Sequence, residues 1–158
     1  CIWPFINIFK IYLIDITTMA HFAELDNDNI VKRVIVVSSK NFLNSDGVED
    51  ESIGKAFCRK LYGDDTKWVQ TSFTGRIRAR FATVGVKYDE ELDLFYNPNP
   101  PYPSWTLHSS KLYFEPPIPE PEIPDGKTGY NEWDENLYVN DTSDPKTAGW
   151  VFFEETSE

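Results

Sequence analysis

Four prolines at positions 98–103 and five at 116–124 account for nine of the eleven in this chain of 158 residues. Proline fixes its backbone and offers no N–H. Segments this dense in it therefore favour extended polyproline geometry and act as semi-rigid spacers. The texture changes at Asn97, so the sequence reads as a compact domain over 19–96 followed by an extended region over 97–158. Three times in the second half an aromatic residue, a short polar turn and a leucine with further large residues recur: Tyr88 to Phe95, Trp105 to Phe114 and Trp133 to Val139. Each predicts a small β-hairpin, and the prolines are expected to hold the later two apart.

The compact part has clearer signals. His21–Leu25 alternates apolar and polar residues, as a half-buried strand does. Asp26–Asn29 is turn-forming, and Ile30–Val37 is rich in β-branched residues, so an antiparallel hairpin is expected. Glu49–Leu61 carries acids at its start, bases at its end and apolar residues at helical spacing. It predicts the one helix, stopped by Gly63, with Gly54 costing up to ~1 kcal/mol against Ala. Trp68–Phe73 and Arg76–Ala82 flank Thr74-Gly75 and read as a second hairpin, and Val84–Tyr88 starts a further strand. Gly149–Phe153 is read as a last strand pairing with the third hairpin. The fold class is α+β: a small antiparallel sheet with one helix, followed by proline-separated aromatic hairpins.

Net charge is −11. Residues 1–87 hold 12 basic against 10 acidic side chains, and 88–158 hold 3 against 16, a split of +2 and −13. The acidic half repels nucleic acid and anionic membrane over roughly a Debye length, ~8 Å at physiological salt, which argues against either as partner. The first eighteen residues are rich in Ile, Phe, Asn, Lys and Tyr, the residues that AT-rich DNA yields. Lys10 and Asp15 interrupt their apolar run. They are read as an upstream translation artefact, with a signal or anchor and an ordered strand as the other readings, and Met19 as the expected start. With Cys1 in that leader, no disulfide framework is inferred, and Cys58 reads as a small buried hydrophobe.

Signals for chemistry are sparse. His21 and His108 are the only histidines, and no metalloprotease, paired-cysteine, nucleophile-elbow or phosphate-loop pattern occurs. No catalytic residue, metal or cofactor is assigned. Asp26 and Asp28 fail as a calcium loop because position 12 would be Val37, so turn chemistry is preferred. Asp89, Glu90, Glu91, Asp134 and Glu135 are placed in hairpin turns, solvated by water. Arg76, Arg78 and Arg80 at spacing two would share one face of a strand. That face is either simply solvated or a cationic stripe docking an acidic partner, including the acidic half of a neighbouring copy, head to tail. Trp105, Tyr113, Trp133, Tyr138 and Trp150 are either cross-strand pairs holding hairpins together or exposed platforms for a protein or glycan.

The stretches Met19-Ala-His-Phe-Ala-Glu-Leu-Asp26, Val31-Lys-Arg-Val-Ile-Val-Val37, Gly54-Lys-Ala-Phe-Cys58, Trp68-Val-Gln-Thr-Ser72, Pro101-Tyr-Pro-Ser-Trp-Thr-Leu107 and Tyr130-Asn-Glu-Trp-Asp-Glu135 carry a resemblance. They resemble a family of small uncharacterised proteins encoded by marine tailed phages, notably cyanophages, over nearly everything after Met19. The resemblance implies Met19 as the start and a role in the virus particle or in infection, and brings no activity, cofactor or catalytic residue. This chain departs from that pattern in a longer, more proline-rich Glu115–Asp125. The expectation is a non-enzymatic phage protein, virion-associated or contacting a host protein in the host cytoplasm. Arg76, Arg78, Arg80, Trp105, Trp133 and Trp150 are its contact residues, and self-association is one mode. A carbohydrate- or surface-binding module is the second reading, and a small enzyme borrowed from the host the third.

Overall fold

The computed structural model describes residues 19–155; the leader 1–18, with Cys1, lies outside them. The chain divides into two compact units, one ending at Asn97 and the other starting at Pro98. The α+β class is the one observed, with one main helix and several small antiparallel sheets.

In the first unit β1 (Met19–Leu25) and β2 (Val31–Ser38) pair antiparallel. Their turn is closed by Asp26, whose carboxylate accepts from the backbone N–H groups of Asp28 and Ile30, both at 2.9 Å. Asn29 takes a left-handed φ of 63° there, the side-chain turn chemistry expected of Asx residues. The helix α1 spans Glu51–Tyr62; Asp50 caps its first turn through Ser52, and Gly63 at φ 121° donates its N–H to the Arg59 carbonyl at the other end. Beyond α1 the chain returns as β3 (Lys67–Thr71), antiparallel to β1 on its second edge, giving the order β2-β1-β3.

β1 is thus the central strand, and it is buried on both faces rather than on the one that its alternation suggested. Ala20 and Phe22 pack with Val37, Phe42, Cys58 and Trp68 against the α1 side. Ala23 and Leu25 pack with Val31, Val69, Ala82, Val86, Tyr88 and Phe95 on the other. That second face is covered by residues 82–86 and by the hairpin of β4 (Lys87–Asp89) and β5 (Leu94–Tyr96). This segment is laced to the start of β2 and the turn before it, through Val31 N–H to Val86 O and Tyr88 N–H to Asn29 O, both at 2.9 Å. The first aromatic repeat therefore forms its hairpin, with Tyr88 and Phe95 buried as core of this unit.

The second hairpin expected here does not form. Only β3 is a strand; residues 76–82 are bends and irregular backbone, with Gly75 at φ 68°, Arg78 at 56° and Ala79 at 65°. The outer edge of β3 is occupied by side chains instead. Gln70 N–H donates to the Glu51 carboxylate at 2.9 Å, and its carbonyl accepts from Arg78 at 2.8 Å.

The second unit holds β6 (Thr106–Leu107) paired with β7 (Phe114–Glu115), and β8 (Gly129–Trp133) paired with β9 (Trp150–Glu154). The Trp105 repeat is thus a hairpin with two-residue arms. The Trp133 repeat is not a hairpin. Trp133 ends β8, Asp134 caps a short helix α2 (Glu135–Asn140), and Leu137, Tyr138 and Val139 lie within it. Asp134 accepts from the N–H groups of Asn136 and Leu137 at 2.9 and 3.1 Å, so the acids placed in a solvated turn are helix-start residues. The final strand does pair with the segment holding Trp133, at Trp133 opposite Trp150.

Candidate binding site

Trp105, Trp133 and Trp150 converge. Ring centroids lie 6.1 Å apart for Trp105 with each of the others and 5.3 Å apart for Trp133 and Trp150. The last pair is T-shaped, the edge-to-face arrangement that aromatic quadrupoles favour. Trp133 is only 4% exposed and is the core of this unit rather than a platform. The backbone comes close to it at Gly149, where a Cβ would stand 2.5 Å from two of its ring carbons. The Trp133 indole N–H donates to Glu135 at 2.9 Å, and the same carboxylate accepts from the Ser104 hydroxyl at 2.7 Å. These donors, the indole foremost, hold the Glu135 carboxyl below its ordinary range.

Trp150 donates its indole N–H to the Ile118 carbonyl at 2.9 Å, and Asn131 donates to the Pro121 carbonyl at 2.7 Å. The segment 116–124, read as a spacer, is instead a wall held against these residues. Extended polyproline backbone makes no internal hydrogen bonds, so its carbonyls are there to accept them. Trp105 is half-buried, and its indole N–H meets no acceptor among the described residues.

Trp105, Tyr113, Trp150, Pro116, Pro117 and Pro119, with Glu115 and Glu120, line an open groove of about 680 Å³. Its size is that of ordinary ligand-binding clefts. Two carboxylates and no basic side chain face it. Glu115 lies 4.0 Å from His108, which stacks on Tyr113 at 4.4 Å, and Glu120 accepts a 3.4 Å contact from Asn131. Reading the sequence missed Glu115 and Glu120. Their signal was present as acids beside prolines next to an aromatic hairpin, in a region carrying twelve acids against three lysines from 98 to 158.

The arginines do not form a stripe. Arg78 turns inward with its side chain 12% exposed, bonding Asp93 at 2.6 Å and Glu51 at 3.0 Å. Burial works against its charge, but the hydrogen bonds to Asp93 and Glu51 prevail and its pKa rises. Glu51 and Asp93 are correspondingly held low, although burial opposes this: in Glu51 the Gln70 N–H and Arg78 outweigh it, in Asp93 the Tyr88 hydroxyl and Arg78. Arg78 is a structural link. Arg76 and Arg80 are exposed and make no ion pair among the described residues.

His21 packs between rings, edge-on to Phe81 at 5.3 Å, and Cys58 is buried in the first unit's core. Asp141 is held far below its ordinary range by the Ser143 hydroxyl and by the N–H groups of Ala148, Ser143 and Thr147, which organises the loop before Gly149. Among the described residues no group of three His, Cys, Asp or Glu could hold a metal, and no helix is long and apolar enough to cross a membrane. No family model matches the chain, and no similar curated protein or solved structure was found.

Proposed function

We propose that this chain is a non-enzymatic binding protein of a tailed phage, working in the virus particle or in the host cytoplasm by contact with another protein. The observation that carries the reading is the open aromatic and acidic groove beside Trp105 and Trp150. Aromatic side chains bring large contact area at small entropic cost and dominate binding hot spots. The shifted carboxylates fit the same reading, because each serves the fold itself. Asp50 caps α1, Glu51 and Asp93 hold Arg78, and Asp141 orders a loop. The phage setting rests on the sequence resemblance.

Mass spectrometry of purified particles tests the setting. Stoichiometric recovery of peptides from residues 19–155 supports a particle component, and recovery only from infected cells supports a host-directed factor. Tyr113→Ala, at a half-exposed groove residue, should abolish capture of the partner in either case. The groove's stacked rings and carboxylates also suit a sugar. A neutral host polysaccharide that shifts the tryptophan emission of the native chain, and not of Tyr113→Ala, would replace the protein partner with a glycan.

A further inference from the structure

A groove walled by aromatic faces and two carboxylates, with no lysine or arginine in its lining, is a receptor for a cationic side chain. Guanidinium suits it best, since it stacks flat on indole and also bonds carboxylate through a planar fork. The first unit displays such groups on a preshaped turn. Gly75 lies under Arg80, whose Cα would be 3.6 Å from a Cβ at that glycine, and Arg80 N–H bonds the Arg78 carbonyl at 2.8 Å. The turn is closed on itself and pinned from below by Arg78 on Glu51 and Asp93. Arg76 and Arg80 stand at its two ends, exposed, with Ile77 and the 75% exposed Phe73 beside them. Ordering of that loop has already been met within the fold, so docking it loses little further entropy.

We infer that the groove of the second unit receives the Arg76/Arg80 turn of a second copy of this chain. The two surfaces differ, so the contact is heterologous and joins copies head to tail. The inference rests on the groove being a protein-contact surface and names its occupant. Opposite charges set the register and the salt dependence, while the rings supply the desolvated centre of the contact.

The test uses the full chain in sedimentation equilibrium, at 50 and 500 mM sodium chloride. The native chain should associate at low salt and dissociate at high salt. Arg76→Glu with Arg80→Glu, and separately Glu115→Lys with Glu120→Lys, should each weaken association at least about tenfold, because like charges then face each other. An equimolar mixture of the two variants should associate again, since the native turn of the groove variant meets the native groove of the turn variant and the two reversed surfaces also match. All four substitutions lie at exposed positions, and unchanged melting temperatures confirm intact folds. A native chain that stays monomeric at low salt overturns the inference, as does association that either double variant leaves unchanged, or a mixture that fails to reassociate. A monomeric chain whose Tyr113→Ala variant still loses its partner would overturn the second copy as occupant while leaving the proposed function standing. If that variant keeps its partner, the groove reading itself falls.

Discussion

Gly54→Ala sets two physical effects against each other, and the geometry decides the sign. By helix propensity alone, alanine in the middle of α1 would stabilise by about 1 kcal/mol. The added Cβ would, however, stand 2.2 Å from the Phe22 Cζ, 2.8 Å from Cε1 and 3.0 Å from Cε2, against an optimum of about 3.5–4.0 Å for carbon atoms. Phe22 cannot retreat easily. It is fully buried on the central strand and meets Phe42 edge-on at 5.7 Å. Overpacking of this kind costs about 1–3 kcal/mol, and a whole ring facing the new methyl belongs at the upper end. With the helix gain subtracted, the net loss is about 2 kcal/mol, or about 8–16 °C in the melting of a domain this size. Urea and thermal unfolding followed by far-ultraviolet circular dichroism measure it. Phe22→Leu should partly relieve the clash, so the double variant should lose less than the sum of the single losses by at least about 0.5 kcal/mol. A Gly54→Ala chain that melts at or above the native temperature would refute the close approach of α1 to β1.

Three further outcomes follow from particular contacts. Glu51 and Asp93 have pKa values below their ordinary ones, so the stability they contribute is complete above the unfolded carboxylate range near pH 4 and is lost as pH falls through the lowered values. A melting-temperature series from pH 7 to 3 should show that acid loss, and Arg78→Gln should lower the neutral value and flatten the slope. Gly149→Ala places a Cβ against Trp133 at a φ of +150°, and should weaken the second unit by about 2–3 kcal/mol; near-ultraviolet dichroism of its tryptophans reports the change, and an unaltered spectrum and melt would refute it. Burial holds the Cys58 thiol up at about 11. In a Cys1→Ser chain its labelling by a thiol reagent at pH 8 should be slow and should track unfolding in urea, and rapid labelling of the native chain would contradict its burial.

Where local chemistry and tertiary structure agree, the sequence was legible. The β-branched run Val31–Val37, the Asx turn before it, and the acid-to-base gradient closed by Gly63 all mark elements that formed. Arg76–Ala82 misled because its strict alternation imitates a strand. What wins there is Arg78, which turns inward to pair with Glu51 and Asp93, both distant in sequence, with the backbone left-handed at 78 and 79. Trp133–Val139 misled for another reason. Six residues are too few for helical periodicity to show, although Asp134 followed by Glu135 is a helix-start signal. The convergence of three tryptophans was not readable, since Trp105, Trp133 and Trp150 meet through β8–β9 pairing and a glycine approach that spacing alone does not encode. Nor was the role of the prolines. Composition says that 116–124 is extended, but only the Trp150 and Asn131 donors show what it lies against.

The position of β1 has a consequence for how the chain is made. Its hairpin partner β2 is its immediate successor, but the strand for its other edge, β3, is separated by the whole of α1. On a ribosome adding ~5–20 residues per second, the stretch from 39 to 71 takes about 2–7 s to appear. For that interval the nascent chain carries the β1–β2 pair with the hydrogen-bonding edge of β1 open and the face of Ala23 and Leu25 without Val69 and the later residues that cover it. Isolated hairpins are marginally stable in water, and open edges recruit other strands. The vulnerable period of this protein is therefore fixed by its topology. The edge of β1 closes when Trp68 and Val69 arrive, and the face bearing Ala23 and Leu25 is covered only when Ala82, Val86, Tyr88 and Phe95 follow.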